Sequence, residues 1–126
     1  MSHGFLIREL PDGGNEFVLD QPALSYLRID HRSKLRFGDT EVAIGTPFTL
    51  EASGVTHVLD PRRWDALGPF VSLYPGTIRW LWTSAGGELS AVFTSGATVT
   101  VSPHPAARAW SVGSISCRPT GPEHSS

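Results

Sequence analysis

A chain of 126 residues with 40% hydrophobic residues, four tryptophans and six phenylalanines has enough apolar content for one packed core, and its length fits one domain. A formal charge of -2 argues against general affinity for nucleic acid or for an anionic membrane surface, since both need cationic groups to neutralise phosphate. A single cysteine, Cys117, excludes an intrachain disulfide and a four-thiolate metal site.

The N-terminal sequence MSHGFLIRELPDGG lacks the basic segment and apolar run of a secretory signal. No stretch approaches the roughly 18 consecutive apolar residues of a membrane span, so a soluble cytoplasmic protein is expected. Phe5-Leu6-Ile7 and Phe17-Val18-Leu19 flank the turn-prone Pro11-Asp12-Gly13-Gly14, which predicts an N-terminal hairpin. From Leu27 the alternation is cleaner. Leu27 and Ile29, Leu35 and Phe37, Val42 and Ile44, and Phe48 and Leu50 face one way, with Arg28, Arg36, Glu41 and Thr49 opposite. Gly38-Asp39 marks a reversal, and Gly45-Thr46-Pro47 interrupts the ladder because proline has no amide proton to give it.

The connector DPRRWDALGPFVSLYPG predicts a short helix with Asp60 as its cap and Pro61 at its first position, carrying Trp64, Leu67 and Val71 at helical spacing. Gly68-Pro69 breaks it and Pro75-Gly76 ends it, so one kinked or split helix is expected. The stretch Thr77 to Val112 then reads as a three-strand meander with reversals at Gly86-Gly87 and Ser95-Gly96. Strict alternation places Ile78, Trp80 and Trp82 on the core face of its first strand and Leu81 on the opposite face. Residues 1–113 are expected to form a single β-rich domain and 114–126 a largely disordered tail, in which only Ile115-Ser116-Cys117 has the composition of a strand.

The fold class that follows is mainly β: antiparallel meanders of about seven to nine strands forming a sheet or a sandwich, with one short kinked helix. The two strand-rich parts also align with each other. Phe37 matches Phe93, Val42 and Ile44 match Val99 and Val101, and Phe48 and Leu50 match Trp110 and Val112. An internal duplication is one reading of this pattern; chance alternation among strands is the other.

From Leu27 to Val112 the chain resembles a family of small actinobacterial proteins of unknown function. The residues that carry the likeness are Pro47-Phe48-Thr49-Leu50, Asp60-Pro61 with Ala66-Leu67-Gly68-Pro69, Gly87-x-Leu89-x-x-x-Phe93-x-x-Gly96-x-x-Val99-x-Val101-x-Pro103, and Ala109-Trp110. Arg108 departs from the acidic residue usual before that last pair, so the resemblance implies no shared carboxylate there. It implies a β-rich fold and brings no activity, site or cofactor. It also suggests a toxin as one class of partner, through an immunity-like neutralising role.

No catalytic motif emerges. The five histidines, His3, His31, His57, His104 and His124, never sit at the i, i+2 or i, i+4 spacing that aims two ligands at one ion. Gly-x-Ser-x-Gly and Gly-rich phosphate loops are absent, and Cys117 has only Arg118 beside it to lower its pKa, so a structural thiol is the plainer reading. No enzyme activity and no cofactor are expected. The basic run with Tyr26, Arg28, Arg32, Lys34 and Arg36 reads as a charged hairpin guarding an edge, with oligonucleotide binding the less favoured alternative. If Leu81 and Val92 lie on neighbouring strands, the second face of the meander is partly apolar and needs cover by another subunit or a partner. Those seven residues form the candidate partner surface. The expected function is non-catalytic protein binding in an immunity-like or adaptor role, with homo-oligomer formation possible through the same sheet. The alternative is a small-molecule module with an aromatic-lined pocket.

Overall fold

The computed structural model describes residues 4–29, 31–104 and 108–116. Among the described residues, alternating apolar positions build twelve strands in two antiparallel sheets. The strands are β1 (Phe5–Glu9), β2 (Asn15–Leu19), β3 (Tyr26–Ile29), β4 (Ser33–Phe37), β5 (Thr40–Ile44), β6 (Phe48–Ala52) and β7 (Val55–Leu59). After the connector come β8 (Ile78–Thr83), β9 (Leu89–Phe93), β10 (Thr98–Val101), β11 (Trp110–Val112) and β12 (Ile115–Ser116). The larger sheet runs β1-β2-β8-β9-β10-β6-β7 and the smaller β12-β11-β5-β4-β3. Their inner faces share one core of buried side chains, so the fold is a sandwich with no closed barrel. The strand count exceeds the expected seven to nine, with Val55–Leu59 adding β7 as the partner of β6 and the short β11 and β12 closing a further hairpin.

Register explains the core. Leu27, Leu35, Val42, Val112 and Ile115 are successive cross-strand partners, forming one apolar row through the smaller sheet. The expected alternation holds from Leu35 to Leu50, with Leu35, Phe37, Val42, Ile44, Phe48 and Leu50 all buried, whereas on the edge strand Leu27 is half-buried and Ile29 is exposed. Phe17 packs edge-on against Trp110 across the sandwich at 6.4 Å, and the buried Trp110 donates its Nε1–H to the Gly87 carbonyl at 2.9 Å.

Chain order shows how the two halves interlock. The meander β3-β4-β5 lies in the smaller sheet, and its following hairpin β6–β7 crosses to pair with β10. The meander β8-β9-β10 lies in the larger sheet, and its following hairpin β11–β12 crosses back to pair with β5. Pro47 and Pro103 stand at the two crossings, where a missing amide ends ladder pairing and lets the chain change sheets. Exchanging halves maps one strand order onto the other, with β1–β2 left as an extension beyond β8. The sequence alignment of Phe37 with Phe93, of β5 with β10 and of β6 with β11 is the alignment this topology requires.

The N-terminal hairpin forms as expected, its turn closed by the Asp12 carboxylate accepting from the Gly14 amide at 3.0 Å. Gly14 is needed for close approach, since a Cβ there would overlap the Thr83 carbonyl of β8.

The connector is split as expected but begins differently. Asp60 accepts from the Arg62 amide at 3.0 Å in a local turn instead of capping a helix at Pro61. A 3₁₀ turn at Trp64–Ala66 and a one-turn helix α1 (Gly68–Val71) follow, the latter with Pro69 in its first turn. Leu67 is buried, yet Phe70 and not Val71 completes the apolar anchor. Helical spacing from Trp64 fails because the chain changes helix type at Leu67; the side chain of Trp64 lies outside the described residues. Strand structure continues to Ser116, past the expected boundary at 113, while Cys117 and the rest of the tail lie outside the described residues. No helix among the described residues is long and apolar enough to cross a membrane.

Candidate binding surface

A register shift between Ile78 and Trp80 rearranges the face that alternation alone predicts. Ile78 pairs with Phe93, but Trp80 pairs with Val92, so Arg79 is the extra residue of a β-bulge. Beyond it the strand has changed phase. Leu81, fully buried, joins Ile78 and Thr83 in the core, and Trp80 and Trp82 turn to the outer face, where Trp80 is 48% exposed. The expectation that Leu81 belongs to a partner surface is thereby corrected: one inserted residue inverts every side chain after it. Val92 stays on the outer face, half-buried beside Trp80.

The outer face of the larger sheet has a traceable composition. One cross-strand row reads Arg8, Glu16, Trp82, Ser90, Thr100, Thr49 and Val58, and a parallel row reads Trp80, Val92, Thr98, Glu51 and Thr56. At the β2–β8 end, Leu10, Glu16, Trp80 and Trp82 line an open groove of about 360 Å³. Two arginines border it. The Arg79 guanidinium carbon lies 4.7 Å from the Trp80 ring centroid, and Arg8 Nη2 lies 3.5 Å from Glu16 Oε1. The Arg8 side chain is 71% exposed and that of Glu16 23%, so solvent screens this ion pair and it adds little to stability.

The smaller sheet has its own outer face. Tyr26 lies opposite Arg36 and Arg28 opposite Lys34, which gathers four of the expected surface residues into one patch on the hairpin β3–β4. Arg36 Nε donates to the Gly38 carbonyl at 2.7 Å. Arg32 stands apart in the intervening turn with its guanidinium against Gly45. These residues and Val92 therefore occupy opposite sides of the sandwich and do not make one surface. The exchange of halves equates Tyr26 with Trp80, Arg28 with Trp82, Lys34 with Ser90 and Arg36 with Val92. Equivalent positions carry phenol and cations on one face, indole and an adjoining carboxylate on the other.

The sequence carries a signal for the exposed tryptophans. Strict alternation put charged Arg79 on the same face as Leu81, an inconsistency that a bulge resolves. Two further open concavities lie elsewhere, one between Tyr26, Val71 and Tyr74 and another between Leu6, Ile7, Ser114 and Ile115. Among the described residues no group of three or more His, Cys, Asp or Glu is placed to hold a metal ion. The larger face presents the indoles of Trp80 and Trp82, the carboxylates of Glu16 and Glu51, and the exposed Arg8 and Arg79 beside them.

Comparison with known proteins finds one family model, a family of unknown function (DUF6188), matching residues 16–122. No curated protein and no solved structure matches the chain.

Proposed function

The chain belongs to this family of unknown function, and we propose that it is a non-catalytic protein-binding module, immunity-like or adaptor in role, that engages its partner through the outer face of the larger sheet. The observation that carries this reading is the bulge at Arg79, which turns Trp80 and Trp82 out of the core. An exposed tryptophan costs solubility on a bare surface and is among the side chains that most often dominate binding energy. The half-buried Thr98 and Thr100 beyond them supply the polar rim that interfaces place around such anchors. A toxin is one partner class consistent with this role, and an intracellular, actinobacterial setting belongs to the same proposal. Self-association would use strand β7, an edge of the larger sheet on which Val58 is 76% exposed and which carries no lysine, arginine or proline. The test is affinity capture with the tagged chain from its native cells: recovery of no stoichiometric protein counts against the proposal.

A second reading, small-molecule binding, draws on the groove at Leu10, Glu16, Trp80 and Trp82. Its volume of about 360 Å³ lies in the range of ligand sites, roughly 300–1,000 Å³. Its openness favours a group projecting from a macromolecule over an enclosed metabolite.

A further inference from the structure

Resting on the protein-binding reading, we infer that the groove between β2 and β8 receives an aliphatic cation, a lysine or arginine side chain projecting from the protein partner. The lining is chemically selective. Leu10, Trp80 and Trp82 supply apolar and π surface, and among the described residues Glu16 is the only lining one with an ionisable side chain. The faces of indole rings attract cations through the ring quadrupole, and a carboxylate at the groove wall adds a charged hydrogen-bond acceptor.

The molecule already displays both halves of this recognition with its own side chains. Arg79 sits 4.7 Å above the Trp80 ring, and Arg8 reaches Glu16 at 3.5 Å. Arg79 is exposed and the Arg8 side chain is 71% exposed, so each is held at a surface where water competes with the contact. They act as internal placeholders: an incoming cation takes the same contacts while burying the stem that carries it against Leu10 and the indoles. Register makes the arrangement firm, because Glu16 is the direct cross-strand partner of Trp82 and Arg8 the partner of Glu16, all on one face.

Placeholders give the proposal a signature of opposite signs. Removing Glu16 weakens a bound cation, and removing Arg8 or Arg79 strengthens it. The experiment follows the tryptophan indole resonances of the intact ¹⁵N-labelled chain during titration with N-acetyl-arginine amide and N-acetyl-lysine amide. N-acetyl-glutamate and methyl glucoside are the comparison probes. Saturable shifts at Trp80 and Trp82 with the two cations are expected, weakened about fivefold in Glu16→Gln and strengthened about twofold in Arg8→Gln or Arg79→Gln. Glu16→Gln is isosteric and at the surface, and an unchanged thermal melt shows that it folds. Equal or stronger shifts with the glutamate or glucoside probe overturn the inference, as does Glu16→Gln binding the cations as tightly as the original chain. Partner capture separates this from the broader reading. A partner lost with Trp80→Ala but retained by Glu16→Gln overturns the cation site and leaves protein binding through this face intact.

Discussion

Phe37 and Phe93 meet at 6.4 Å between ring centroids, and they occupy the same position in the two interlocked halves of the chain. Each ends the middle strand of its meander, β4 or β9, and each is almost fully buried. The contact joins the two sheets where the exchange of halves brings equivalent residues together. Replacing either ring by alanine leaves a cavity between sheets that cannot collapse independently, and a loss of about 3–5 kcal/mol is expected for each. Because the rings touch, urea unfolding of Phe37→Ala, Phe93→Ala and the double variant should give a coupling energy of about 0.5 kcal/mol or more. Strict additivity would place the two rings in separate packing units.

The bulge at Arg79 makes a prediction by contrast. Leu81→Ala should cost about 2–5 kcal/mol because Leu81 is fully buried, whereas Trp80→Ala, at an exposed site, should change stability by less than about 1 kcal/mol. Unbroken alternation from Ile78 requires the reverse order. Denaturant melts of the two variants decide between them.

Much of the fold was legible because it depends on period. A row such as Leu27, Leu35, Val42, Val112 and Ile115 needs only that apolar residues recur every second position, and that pattern survives any uncertainty about sheet order. Aligning Phe48 and Leu50 with Trp110 and Val112 matched the two strands that cross, β6 and β11, but not the strands they pair with. The candidate surface was less legible because it depends on phase. One extra residue between Ile78 and Trp80 sends two indoles outward and one leucine inward without altering composition or the look of the strand. The connector misled for a related reason: a change from 3₁₀ to α geometry at Leu67 moves the buried position from Val71 to Phe70.

Thr40 offers a test of the core's polar content. Its Oγ1 is fully buried and has no hydrogen-bond partner among the described residues. Burial of an unmet hydroxyl is costly, so Thr40→Val, which keeps the branched shape, should be neutral or stabilising by up to about 1 kcal/mol. A clear loss of stability in thermal unfolding would mean that the hydroxyl has a partner.

Self-association through β7 should respond to charge. Light scattering at high protein concentration should show a mass above the monomer for the original chain, and Val58→Lys should lower it, since lysine on an open edge opposes strand pairing. A strictly monomeric original chain contradicts oligomer formation through this edge.

The central claim is that the outer face around Trp80 is where a protein partner binds. Affinity capture from native cells, comparing the original chain with Trp80→Ala and with Val71→Ala as an exposed apolar control on α1, tests it most directly. The expected result is a stoichiometric protein held by the original chain and by Val71→Ala, and weakened at least about thirtyfold, equivalent to about 2 kcal/mol, by Trp80→Ala. A partner retained equally by all three chains, or no stoichiometric partner at all, would contradict it.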